Sequence, residues 1–274
     1  MKGTNHISRV ASDFYFTMKR FLMNSGGKDS MASTIYAYEH DIELDGVVMS
    51  EVMFDYSRNI SGEHPLHAEW THDFAIPTIE RKFGYKVILL KSDKDYITIF
   101  NERVGGRSKH QDRIGKKKGF PLGMGCCMRR ELKVIPIENW CKQQGEFEKI
   151  LGLAYDETER LEKMHKRKNE RSLLEEGKII ESQTFDICRN YGLLSPYYDL
   201  GIKRQGCWFC PNCSIKTFAQ FAKDYPKLWN ELRILSQDKE VVSPNFKYGF
   251  TFEEIDKKAN AINNQITLFD LLGE

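Results

Sequence analysis

No apolar run in the 274-residue sequence approaches the roughly 20 residues that a membrane-crossing helix requires; stretches such as YKVILLK at 85–91 fall far short. The opening stretch MKGTNHISRVASDFYF lacks a continuous apolar segment followed by a small-residue cleavage site, so the cytoplasm is the expected compartment and no membrane partner is expected. An excess of one charge is missing as well. Forty-one basic residues against 39 acidic ones leave a formal net charge of +2, which gives no warrant for non-specific nucleic-acid binding. Internal repeats and long low-complexity tracts are absent. The seven cysteines are an odd number without a secretion signal, which argues against a disulfide framework.

What is present is enough apolar sequence, 41%, for a substantial core. Short β-rich runs, RFLMNS, DGVVMSEVMF, YKVILLKS and EKILGLAY, alternate with amphipathic stretches such as SMASTIYAYEH and PLHAEWTHDFAIPTIERKFG. That alternation predicts crossover units: an α/β fold with a mostly parallel sheet and helices on both faces. Ligands then collect at the carboxyl ends of the strands. The Gly- and Lys/Arg-rich segment 101–125 reads as a mobile loop over the site. The mixed-sign segment 160–171 reads as a helix with a solvated face. A nucleotide-binding domain over 1–200 and a cysteine-containing helical cap over 201–274 are the expected parts, with the cap's helical pattern broken at Pro226.

At 21–34 the sequence runs FLMNSGGKDSMAST, a strand that breaks into glycines and resumes as a helix. A glycine-rich turn there lets backbone N–H groups converge on a phosphate at a helix N-terminus. Ser25, Gly26, Gly27, Asp29 and Ser30 would form the cradle, with Lys28 as a point charge. The stretch is not a Walker A loop, because aligning Gly27-Lys28 puts Leu22 and Asp29 where glycine and Ser/Thr belong. The plain alternative is a Gly-Gly turn capped by serine.

SGGKDS resembles the SGGxDS motif of the PP-loop ATP pyrophosphatases, which bind ATP and cleave between its α and β phosphates. GLAYDETER at 152–160, CCMRRELKVIPIENW and YYDLGIKRQGCWFCP are similar to the phosphoadenosine phosphosulfate reductase branch of that superfamily. The resemblance spans most of 20–215 and adds Gly152, Glu157 and Arg160 to the nucleotide site; that branch's early arginine is replaced here by Ala154 or Tyr155.

Cys126-Cys127 followed about 80 positions later by Cys207-x2-Cys210 resembles the ligand set of the iron-sulfur sulfonucleotide reductases, which implies a 4Fe-4S cluster on Cys126, Cys127, Cys207 and Cys210. A zinc site is the structural alternative, though zinc ligands are usually paired two to four residues apart. Five candidate thiols then stand for four irons: with four ligands, one of Cys126, Cys127 or Cys213 is a candidate sulfur carrier, Cys213 foremost, and with only three an open iron would hold hydrosulfide, as the resemblance to thiolation enzymes implies. No cysteine follows Cys213, whereas those reductases use a nucleophilic cysteine in a C-terminal tail. Cys141 and Cys188 read as small buried hydrophobes.

These resemblances imply ATP-dependent adenylation coupled to sulfur transfer, with Mg²⁺ on the phosphates and Lys28 and Asp29 at the reacting centre. Arg129, Arg130 and Lys133 are candidates for an anionic substrate, equally readable as exposed helix charges; Lys203 and Arg204 are further candidates. His64, His67 and His72 read as surface or packing residues. The sulfur acceptor is left open among tRNA, DNA and a small molecule; a sulfur donor or reductant protein is implied, and a homodimer is compatible. The alternatives are a phosphoadenosine or adenosine phosphosulfate reductase, and a non-catalytic nucleotide-binding protein.

Overall fold

A computed structural model describes residues 18–122, 126–202 and 206–272, with side chains through 265. Its strands are β1 (Lys19–Met23), β2 (Gly46–Glu51), β3 (Met53–Asp55), β4 (Ile60–Ser61), β5 (Val87–Lys91), β6 (Phe147–Leu151), β7 (Glu170–Arg171), β8 (Asn245–Lys247) and β9 (Phe250–Thr251). The helices are α1 (Lys28–Glu39), α2 (Pro65–Trp70), α3 (Ile76–Phe83), α4 (Tyr96–Asn101), α5 (Cys127–Arg129), α6 (Ile135–Lys142), α7 (Thr158–His165), α8 (Leu173–Glu176), α9 (Glu181–Asn190), α10 (Ile215–Asp224), α11 (Pro226–Ser236) and α12 (Phe252–Leu272).

Five strands form one parallel sheet in the order β5-β2-β1-β6-β7. The apolar runs became strands because both faces are covered. Leu22 packs into a core with Met31, Ile35, Ile79, Leu173 and Cys188, while its neighbour Phe21 meets Trp140 of α6 at 4.8 Å between ring centres. This is the expected α/β class. The strand order reverses between β1 and β6, and in open α/β sheets such a switch point opens a crevice beyond the carboxyl ends of the two strands. SGGKDS leaves the end of β1 and Gly152 follows β6, so both motifs border that crevice.

A second core joins Val52, Phe54, Tyr96, Phe100 and Met128 to Trp208, Phe209, Phe218, Trp229, Phe246 and Phe252. The C-terminal helices therefore pack onto the segments after β2 and β5, and Pro226 begins α11 where its missing N–H costs nothing.

Two prolines deform helices in a way the periodicity does not reveal. π-Helical segments at Thr71–Ala75 and Arg130–Val134 directly precede α3 and α6, whose first turns carry Pro77 and Pro136. A proline lacks the N–H for the helical ladder and crowds the carbonyl four residues back, and a wider turn relieves both. The segment 160–171 also differs from expectation: α7 stops at His165 and Glu170–Arg171 joins the sheet edge. Lys149 and Glu170 pair at 2.6 Å, with Glu170 only 2% exposed, which draws the chain back to β6. The described part of 101–125 is tethered where the sequence predicts a mobile loop, because Lys117 bridges to Arg103 and to Val241.

Candidate functional site

The loop after β1 is built from its own hydrogen bonds. Asn24 accepts the Gly26 N–H on Oδ1 at 2.6 Å and donates from Nδ2 to Thr34 at 2.9 Å. Ser30 Oγ accepts the Ser25 N–H at 3.1 Å, Ser25 Oγ accepts the Gly27 N–H at 3.3 Å, and the Tyr198 hydroxyl accepts the Lys28 N–H at 3.0 Å. Four amides that could face an anion are thus satisfied internally, so a phosphate must exchange with these partners or use the first turn of α1.

Gly26 has φ of +74°, and a Cβ there would lie 2.6 Å from the His67 ring. Its conformation and the imidazole beneath both demand glycine. His67, 2% exposed, sits between Ser195 Oγ at 2.9 Å and Thr71 Oγ1 at 3.3 Å. Burial lowers its pKa to about 4, and it is neutral near pH 7. Gly152 is held by contact: a Cβ there would stand 2.5 Å from Ser30 Cα and 2.6 Å from Ser30 N. The end of β6 therefore lies directly on the N-terminus of α1.

Lys28 is only 3% exposed, and its Nζ binds Asp29 at 2.6 Å and Glu181 at 2.9 Å. Burial disfavours the ammonium, but these carboxylates outweigh burial and raise its pKa. Thr184 donates to the same Asp29 oxygen at 2.8 Å. Glu157 pairs with Arg160 and accepts the Ala154 N–H at 3.2 Å.

The cysteine wall is made by two segments. Cys126 caps α5, its Sγ accepting the Arg129 N–H at 3.4 Å. From Cys207 the chain makes two successive turns, Cys210 N–H to Cys207 O and Cys213 N–H to Cys210 O, each 3.0 Å. All seven cysteines are free thiols. Burial and then nearby Glu63 raise the Cys207 pKa; burial and then Cys126 raise that of Cys127. The neighbouring thiols of Cys210 and Cys213 interact, which lowers the Cys210 pKa and raises that of Cys213. Among the described residues no three His, Cys, Asp or Glu side chains are gathered to hold a single metal ion.

One cleft of about 750 Å³ unites the two parts. Ser25, Lys28, Asp29, Glu157, Arg160 and Glu181 line one side, and Cys126, Arg129, Lys133, Cys207 and Cys210 the other. Of the three helix cations, Arg129 and Lys133 reach the cleft; Arg130 pairs with Glu131 and is exposed. Lys133 binds Glu63 at 2.8 Å, and although burial opposes its charge, Glu63 and Cys207 raise its pKa. Cys213 is not part of the cleft lining, and Lys203 and Arg204 lie outside the described residues. Cys141 and Cys188 are fully buried. His64 and His67 are packing residues, whereas His72 is exposed and faces Glu51 at 3.3 Å.

Sequence reasoning missed Asn24, Glu63, Glu181, Thr184 and Tyr198, and it read His67 as a surface or packing residue without its place beneath the loop. Asn24, adjoining the motif, was open to discovery as a turn-forming side chain; the others arrive from distant segments and carry no local signal.

No family profile matches the chain, and no curated protein matches it. Solved structures similar to it include a phosphoadenylyl-sulfate (PAPS) reductase from Candida auris in complex with phosphate, at 9% identity and TM-score 0.46, covering 71% of this chain and 84% of that one. A U34-tRNA thiolase, NcsA, from Methanococcus maripaludis with its 4Fe-4S cluster is also similar, at 13% identity and TM-score 0.35, covering 81% of this chain and 73% of that one.

Proposed function

We propose that this protein is an ATP-dependent sulfurtransferase that activates an acceptor oxygen as an adenylate and replaces it with sulfur. The observation that carries the reading is the shared cleft, with the SGGKDS loop and three of the five clustered cysteines on its walls. A nucleotide held at the loop then lies in the same space as the thiols.

The cysteine wall suits a cluster larger than one ion. Its thiols are partly buried, cost energy as uncompensated thiolates, and come from an adjacent pair and a C-x2-C turn. Cys126, Cys127, Cys207 and Cys210 would hold a 4Fe-4S cluster, which when bound supplies a site that presents sulfide. Cys213, beside Cys210, is the reserve thiol. Asp29, Glu157 and Glu181 give hard oxygen donors suited to Mg²⁺ beside a triphosphate.

Lys28, already organised by Asp29 and Glu181, would meet the charge that develops on the departing pyrophosphate with little reorganisation when the α-phosphate is attacked. The acceptor oxygen bonds to the α-phosphorus as pyrophosphate leaves. Hydrosulfide then attacks the activated carbon and AMP leaves with the oxygen, a redox-neutral exchange. Arg129 and Lys133 offer positive charge to an anionic acceptor on the cysteine side.

Anaerobically purified protein is expected to contain iron and acid-labile sulfide and to release pyrophosphate from ATP when acceptor is present. Lys28→Ala should lower pyrophosphate release by about 10²–10³-fold while leaving the iron content intact. Full activity in that variant refutes the role of the loop; zinc in place of iron refutes the cluster.

A further inference from the structure

Tyr96, at the start of α4, is fully buried, and its hydroxyl has no hydrogen-bond partner among the described residues. Its ring stacks on Phe54 at 5.1 Å and lies 4.2 Å from Phe209, one of the two residues between Cys207 and Cys210. Met128, next to the Cys126-Cys127 pair, belongs to the same core, and Cys126, Cys127 and Cys207 pack against it. The phenol thus stands behind the cysteine wall, where both cysteine segments meet.

A phenylalanine would fill this apolar space without leaving a buried hydroxyl unpaired, a cost that native interiors rarely carry without a use. We infer that the Tyr96 hydroxyl donates a hydrogen bond to a sulfur of the cluster held by Cys126, Cys127, Cys207 and Cys210. The inference rests on the cluster reading above. A donor to cluster sulfur stabilises the extra negative charge of the reduced state and raises the reduction potential. The same bond satisfies the hydroxyl only when the cluster is present.

The test compares wild type with Tyr96→Phe, each loaded with iron and sulfide and each stripped by chelator. Iron content, midpoint potential and thermal unfolding are measured. With equal iron in both, the variant is expected to show a more negative midpoint and a lower melting temperature when loaded. Stripped of iron, it should melt at the same or a higher temperature, because its missing hydroxyl had no partner to lose. A merely structural tyrosine would not reverse sign with the cluster. Equal midpoints in two iron-loaded proteins overturn the role of Tyr96 and leave the cluster reading standing. A wild type that takes up no iron overturns both.

Discussion

Acid should loosen this protein through the histidine that supports its loop. His67 has a folded pKa of about 4 against an ordinary 6.5, because burial between Ser195 and Thr71 disfavours the imidazolium. Between those values the unfolded chain binds a proton that the folded protein refuses, so stability is full above about pH 6.5 and falls as the pH drops toward 4. The gap between those two values corresponds to ~3 kcal/mol at the acid limit. At pH 5, where the unfolded histidine is almost fully charged and the folded one almost neutral, ~2 kcal/mol is lost. Urea unfolding of wild type and His67→Gln at pH 7.5 and 5.0 isolates this share from that of His64, whose pKa burial also lowers to about 4. Glutamine removes the titration and keeps polar atoms near Ser195 and Thr71. Wild type should lose ~2 kcal/mol more than the variant over this interval, at unchanged m-value. Parallel pH dependence in the two proteins would refute a neutral, buried imidazole under Gly26.

Gly152→Ala should destabilise the protein by about 1–3 kcal/mol and reduce nucleotide binding, since the new methyl meets the Ser30 backbone at 2.5 Å; a thermal melt and an ATP titration check both. Glu63→Gln should cost roughly 2–3 kcal/mol in urea unfolding, because it leaves the Lys133 ammonium without its 2.8 Å partner, and the residual exposure of Lys133 keeps the loss below that of a fully buried pair. Cys207→Ser should lose most of the iron and its visible absorbance. Cys141→Ser, buried on α6 away from the cleft, should keep the iron and lose only stability, by about 1–2 kcal/mol in the same assay.

The sheet was legible because its strands are short apolar runs buried on both faces, and a run such as FLM or GVVM has few other ways to hide. The turn after β1 was legible because two glycines stand between a strand and a helix; the +74° φ of Gly26 requires one of them, and Gly152 is needed for close packing. What the sequence concealed are contacts that only closure of the fold creates. Tyr198 holds the Lys28 N–H across 170 positions, His67 meets Ser195 across 128, and Lys133 meets Glu63 across 70. Lys28 illustrates the difficulty. A lysine in a phosphate-type loop reads as a free charge, yet two carboxylates hold it, and one of them comes from α9, 153 positions away.

Those same contacts explain how the loop and the cysteine wall are kept in register. β4 ends just before Glu63, which bridges antiparallel to Cys207. His67, one turn further along the chain, rises beneath Gly26 of the loop. A single segment, 62–71, thus braces the cysteine turn at one end and the loop at the other, while Lys133 ties Glu63 to the segment that follows Cys126-Cys127. Gly62 reinforces this: its carbonyl accepts the Trp208 N–H at 3.2 Å, and a Cβ there would collide with Val52 and Phe209. Rigid short links cost less than independent ordering of two mobile loops, because the entropy of fixing them is spent once, during folding. The chemistry proposed for the cleft needs that economy, since the sulfur must reach the acceptor carbon whose oxygen the nucleotide phosphate has activated.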